Sequence, residues 1–197
     1  VCSAVCFCTR RRQPAAQPKP SSAGQVVYKR KRKGDLMNKT GLGIGIIGAG
    51  RIGTLRANMV SRHPSVQFLG ISDIDPEKAG LLAQQVGADF TSSDNSSVIN
   101  HPEVTSVIVS TPEHEHVAPI LEALHLGKPV FVEKPLALTL EDTDILVEAS
   151  DKTGVELRIG YSRRHDRRWM MAKEQIQQGR LGTVLGIQSR VYNTRSH

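Results

Sequence analysis

Gly43-Ile44-Gly45-Ile46-Ile47-Gly48-Ala49-Gly50-Arg51-Ile52-Gly53, residues 43–53, is the stretch whose reading decides the fold. Residues 44–47 are a short β-branched run bounded by glycines, which predicts a buried strand. Residues 51–62 have helical spacing and stop before His63-Pro64. Residues 66–72 predict a second strand, and an acid, Asp73, closes it. A strand, a glycine turn, a helix and a second strand make one βαβ unit.

Outward from that unit the alternation continues. Residues 76–86 predict a helix with Pro76 in its first turn and Gly87 after its last. Residues 105–110, 129–132 and 155–160 predict strands, and residues 115–126, 141–153 and 168–178 predict helices, each ended by a glycine. Strands alternating with helices of this length imply a parallel sheet with right-handed crossovers. The expected class is α/β, a doubly wound parallel sheet of the Rossmann kind over residues 41–160. Residues 184–192 alternate as a strand with nothing after them to pair with. Residues 161–197 are therefore expected to be the start of a second, truncated α/β domain.

The glycine turn has a physical purpose beyond its shape. Gly48 permits a tight turn, Gly50 leaves room for a pyrophosphate, and Gly53 lets helix pack close to strand. Backbone N–H groups of Arg51 and Ile52 are expected to face the phosphates at the positive helix end. Asp73 follows Gly53 at the spacing at which an acid accepts from adenosine ribose hydroxyls. A carboxylate there favours NAD over NADP, because a 2′-phosphate would face it. Ile74 and Asp75 offer no arginine in compensation, although Arg51 is able to reach a phosphate.

Two further segments fall at carboxyl ends of predicted strands, where open α/β sheets bind ligands. One is Ser110-Thr111-Pro112-Glu113-His114-Glu115-His116, and the other is Glu133-Lys134-Pro135. With the glycine turn and Asp73, these segments and Gly127-Lys128-Pro129-Val130 make the chain similar to the Gfo/Idh/MocA family of sugar and polyol dehydrogenases. Gly160-Tyr161-Ser162-Arg163-Arg164-His165-Asp166 resembles the family stretch that leads into a second domain. The resemblance implies that Ser110, Thr111, Pro112 and His116 line the cofactor side of a cleft. It also implies that Lys134 contacts the reacting hydroxyl, where an ammonium stabilises a developing alkoxide. Glu133 would orient that lysine or touch the nicotinamide ribose, and Pro135 would follow a cis bond. Glu113 departs from the Asn frequent at its position.

The same resemblance places a proton-transfer histidine and a nearby aspartate beyond residue 197, and neither His165 nor His197 has the context to replace them. These 197 residues are thus expected to bind NAD and to turn substrate over poorly. The implied substrate is a small sugar, inositol or related polyol. The implied full-length protein is a homo-oligomer. A non-catalytic NAD- or sugar-responsive regulator on the same fold is the competing reading, and retention of Lys134 argues against it. A short-chain dehydrogenase is excluded, because no Tyr-x-x-x-Lys pair exists in the chain.

Composition bounds the remaining classes. The net charge of +7 is misleading, because residues 1–40 carry ten Lys/Arg against one acid, and the rest sixteen against eighteen. Residues 1–40 show no periodicity and read as a disordered basic tail. Three meanings compete for it: a transit peptide, a nuclear or nucleic-acid patch at residues 29–33, and non-native sequence ahead of a start at Met37. With a mildly acidic remainder and 4% aromatics, nucleic acid is not an expected partner. No apolar run approaches the ~20 residues that cross a bilayer. All three cysteines lie at Cys2, Cys6 and Cys8, so no disulfide framework is expected in the folded part and a cytoplasmic setting is. His114 and His116 flank Glu115, yet alternate residues in a turn diverge, so no metal site is expected.

Overall fold

A computed structural model describes residues 2–10 and 41–192, with backbone only at 2–10 and 190–192. The tail readings at residues 29–33 and at Met37 lie outside the described residues. The described residues divide into two units, 41–161 and 2–10 with 162–192.

In the smaller unit, strand β1 (Cys2–Arg10) pairs antiparallel with the last strand of the chain, Thr183–Tyr192. This corrects the tail reading at residues 2–10. It also corrects the expectation that the final strand has no partner within these residues. Val5, Cys6, Phe7, Cys8 and Thr9 favour extended backbone, and pairing gives partners to edge groups that would otherwise be open.

The larger unit has the expected doubly wound α/β class. Strand β2 (Leu42–Ile47) leads to helix α1 (Arg51–Val60), then to β3 (Val66–Ser72), α2 (Pro76–Val86), β4 (Phe90–Ser92) and the short α3 (Asn95–Ile99). Strand β5 (Ser106–Val109) follows, then α4 (Val117–His125), β6 (Val130–Val132), α5 (Leu140–Thr153) and β7 (Leu157–Ile159). A 3-10 turn at Glu113–Glu115 separates β5 from α4, so the helix begins later than its sequence pattern implies. The smaller unit then adds α6 (Arg167–Gln177) and the final strand, β8 (Thr183–Tyr192).

The sheet runs β4-β3-β2-β5-β6-β7 and every pairing is parallel. The chain starts at β2, works outward through β3 and β4, then crosses to β5 and works outward the other way. Crossovers therefore leave β2 and β5 on opposite faces, which opens a crevice at their carboxyl ends.

Both faces of the sheet are covered. Ile44 and Ile46 of β2 pack with Ala57, Leu69, Ile71 and Leu82 on one side. Ile47 packs with Val107, Val109, Ile120, Leu124, Val132 and Leu146 on the other. That split is the period-two alternation of a strand buried twice. Burying a leucine such as Leu146, the fully enclosed residue of α5, contributes roughly 1.5–3 kcal/mol. Lys128 braces the opposite end of the sheet: Nζ donates to the carbonyls of Ile99 at 2.5 Å and His101 at 3.1 Å. Burial pushes its ammonium below the usual lysine range, so the Gly127–Val130 motif is explained at that end by architecture.

Candidate cofactor site

Extension of the ladder past the strand ends fixes the site. Gly48 N–H donates to Ser72 O at 2.8 Å, Ser110 N–H to Ile47 O at 2.8 Å, and Glu133 N–H to Val109 O at 3.0 Å. The glycine turn, the Ser110 loop and the Glu133 loop thus stand in a row along the carboxyl edge.

The turn can be built only with glycine at two of its positions. Gly48 has φ +96°, and a Cβ there would stand 2.8 Å from the Ser110 carbonyl. A Cβ on Gly53 would stand 1.8 Å from the Gly48 oxygen. Gly50 is different: it has φ −67° and a Cβ would meet nothing within 4 Å. Gly50 opens α1 as its N-cap without a side-chain hydrogen bond. By contrast α2, α3, α5 and α6 are capped by Asp75, Asp94, Thr139 and Asp166. The first N–H groups of α1 are left to the crevice, where the positive helix end favours an anion.

A pocket of about 260 Å³ lies there, lined by Gly48, Gly50, Asp73, Ser110, Thr111 and Pro112 from the expected set. Asp73 is held in place by accepting from Ala49 N–H at 2.7 Å through Oδ2 and from Asp75 N–H at 3.0 Å through Oδ1. The Ser110 and Thr111 hydroxyls are buried without a protein partner. Unpaired hydroxyls are costly to bury, and at this position they suit a polar ligand. An uncapped helix start, open space at Gly50 and these two hydroxyls together fit a dinucleotide.

Ile74, Lys78, Asn95 and Glu115 also line the pocket, outside the set expected from the sequence. Ile74 is 74% exposed, an apolar surface for a flat ring, and its place after Asp73 is its only signal. Lys78 stands 3.2 Å from Asp75 and holds that carboxyl below the usual range by hydrogen bonding. Asn95 accepts from the Ser72 hydroxyl at 2.8 Å.

Six expected residues lie outside the pocket lining, among them Gly53, which packs against the Gly48 carbonyl inside the turn. Arg51 is exposed and Ile52 half-buried at the start of α1, and Glu133 and Lys134 sit at the end of β6. His116 is only 1% exposed and is not among the residues that line the pocket. Its Nδ1 faces the carbonyls of Pro135 at 2.9 Å and Leu136 at 3.3 Å, and Nε2 faces that of Thr111 at 3.1 Å. It braces the Thr111 loop against the lysine loop. The Lys134–Pro135 bond is cis. Asp166 bonds Arg168 at 3.0 Å, which holds its carboxyl below the usual range and accounts for Arg168 at the start of α6. Among the described residues no three His, Cys, Asp or Glu side chains gather in a way that could hold a metal ion. Among them no helix is long and apolar enough to cross a membrane.

A parallel sheet with its switch point at β2 and β5, and a glycine turn and an acid at that point, define a dinucleotide-binding Rossmann domain. Residues 42–161 match the model of an oxidoreductase family with an NAD-binding Rossmann fold. The chain belongs to the Gfo/Idh/MocA family, and these residues are its NAD-binding domain. It is 34% identical to the myo-inositol 2-dehydrogenase of Thermotoga maritima over 149 residues, which are 75% of this chain and 45% of that protein. With the scyllo-inositol 2-dehydrogenase (NAD(+)) of Bacillus subtilis the identity is 34% over 138 residues, 70% of this chain and 40% of the relative. Among solved structures, the scyllo-inositol dehydrogenase of Lactobacillus casei with bound NAD(H) and scyllo-inositol superposes with a TM-score of 0.68 at 26% identity. That superposition covers 72% of this chain and 42% of the other. The chain thus spans less than half the length of these relatives.

Proposed function

We propose that these residues are the cofactor-binding portion of an NAD-dependent dehydrogenase that oxidises a secondary alcohol of a sugar, inositol or related polyol. The observation that carries the reading is the placement of Lys134 at the end of β6, on the same carboxyl edge as the cofactor pocket. The inositol dehydrogenases among the relatives support the substrate class.

NAD, when bound, supplies the hydride acceptor. The α1 amides hold the pyrophosphate, and the Ser110 and Thr111 hydroxyls donate to polar groups along the cofactor. The Lys134 ammonium would hydrogen-bond the substrate oxygen and stabilise the negative charge that develops on it. Glu133 fixes the base of the lysine loop. Association of the full-length protein with further copies and a cytoplasmic setting belong to the same reading. So does poor turnover by the 197-residue chain alone, because most of a substrate pocket lies outside the cofactor domain.

The test has two arms. Formation of NADH from cyclic polyols, followed by absorbance, is expected from a form of the protein that also carries a substrate domain. Its absence across sugars and inositols would contradict the substrate class. The second arm is cofactor choice. Asp73→Ser is expected to weaken NAD binding and to narrow the preference over NADP by about tenfold, because the carboxylate that repels a 2′-phosphate is gone. Competition titrations read this directly, and an unchanged preference would remove Asp73 from the selectivity argument.

A further inference from the structure

Arg56 lies on α1, beyond the phosphate-binding turn, and points back under the sheet edge. Its Nε donates to Glu133 Oε1 at 2.7 Å, and its Nη2 stands 2.5 Å from the same oxygen. The two side chains are only 21% and 15% exposed. The guanidinium carbon also stands 5.0 Å from the ring centre of Phe131, within cation–π range. Strand periodicity puts Phe131 and Glu133 on one face of β6, the face that meets Arg56. On the far side, a Cβ built on Gly160 would come within 3.1 Å of Glu133 Oε2 and of the Phe131 ring. Helix, strand and neighbouring strand thus enclose one ion pair.

Stability alone is a weak reason for such a pair. Desolvating both charges cancels much of their attraction, whereas removing one partner leaves the other uncompensated. What the pair does decide is where the Glu133 carboxylate points. The next residue is Lys134, which is exposed and has no hydrogen-bond or ion-pair partner among the described residues. Without Arg56, the carboxylate nearest that ammonium in sequence would be unpaired.

We propose that Arg56 is a positioning residue for Lys134: by holding Glu133 through Oε1, it withholds that carboxylate from the neighbouring ammonium and leaves the ammonium available to a substrate oxygen. This deepens the role given to Lys134 above and rests on it. Because Arg56 rides on the helix that begins at the glycine turn, it also ties the position of the lysine loop to that of the cofactor turn.

The experiment measures the rate at which Lys134 is acylated by a limiting amine reagent, with peptide mass spectrometry of the intact 197-residue chain and exposed Lys152 as the internal reference. Only the neutral amine reacts, so an ion pair slows labelling. Arg56→Gln is expected to slow Lys134 about tenfold relative to Lys152, because the released Glu133 carboxylate, once it turns to the neighbouring ammonium, favours the charged form. Arg56→Lys is expected to restore most of the parent rate. Arg56→Gln/Glu133→Gln is expected to return to within about twofold of it, since both charges are then absent. Should Arg56→Gln fail to fold, Glu133→Gln alone is expected to speed Lys134, because the arginine charge is then unneutralised. A merely structural pair would lower the melting temperature without moving these ratios. An unchanged Lys134 rate in folded Arg56→Gln, a double variant that stays slow, or an unchanged Glu133→Gln overturns the proposal. No cofactor or substrate is present in the measurement, so failure of the dehydrogenase reading would be seen separately, in the NADH assay.

Discussion

Gly53→Ala is expected to abolish NAD binding and to destabilise the domain by about 3 kcal/mol, at the upper end of what overpacking costs. The added methyl would sit 1.8 Å from the Gly48 carbonyl oxygen. That oxygen belongs to backbone in a turn that is itself pinned, since Gly48 N–H bonds Ser72 O at 2.8 Å. Neither side has a flexible atom to yield. Helix α1 must move away from β2, and with it the amides that face the pyrophosphate. Chemical denaturation and a cofactor titration read the two effects. A folded variant that binds NAD within twofold of the parent would show that the close packing of turn and helix is not required.

The second large effect concerns chemistry rather than folding. In a form of the protein that oxidises a polyol, Lys134→Ala is expected to lower kcat by about a thousandfold, within the range for removing a positioned proton-transfer or oxyanion-stabilising group. Lys134 is exposed and lines no part of the dinucleotide pocket, so NAD affinity is expected to stay within about twofold. Unchanged turnover would remove Lys134 from the mechanism. Retained NAD binding with no turnover in the parent as well would favour the regulatory reading of the fold.

Local features of the chain are legible in the sequence itself. Helix α2 matches its sequence pattern end to end, because Asp75 caps it, Pro76 opens it and Gly87 closes it in the left-handed region at φ +71°. The glycine turn and Asp73 are equally readable, since their chemistry is contained in one βαβ unit. Strand β4 and helix α3 escape the pattern: three and five residues are too few to show a period, and only the Asp94 cap, bonding the amides of Ser96 and Ser97, marks the helix in the sequence.

What the sequence hides depends on contacts between distant segments. Arg56 meets Glu133 across 77 positions, and nothing in either neighbourhood announces the other. His116 shows why residue type is an incomplete guide. A histidine beside Thr111-Pro112 gives no sign in the sequence that the carbonyls of Pro135 and Leu136 lie within bonding distance of its ring. Lys78 and Asn95 enter the pocket from α2 and α3, each set by where its helix begins. The pairing of Cys2–Arg10 with Thr183–Tyr192 joins the two ends of the chain, beyond any local pattern.

Gly50 gives the most direct test that this turn binds a dinucleotide, because there the needs of folding and of binding separate. With φ −67° and no atom within 4 Å of an added Cβ, Gly50→Ala is expected to leave the domain folded and its stability within about 0.5 kcal/mol. The methyl would occupy the space the pyrophosphate needs. Calorimetric titration of the parent and of Gly50→Ala with NAD is the decisive measurement. The predicted result is saturable binding by the parent and a loss of about tenfold or more in the folded variant. Equal affinity in the two chains, or no NAD binding by the folded parent, would contradict the account.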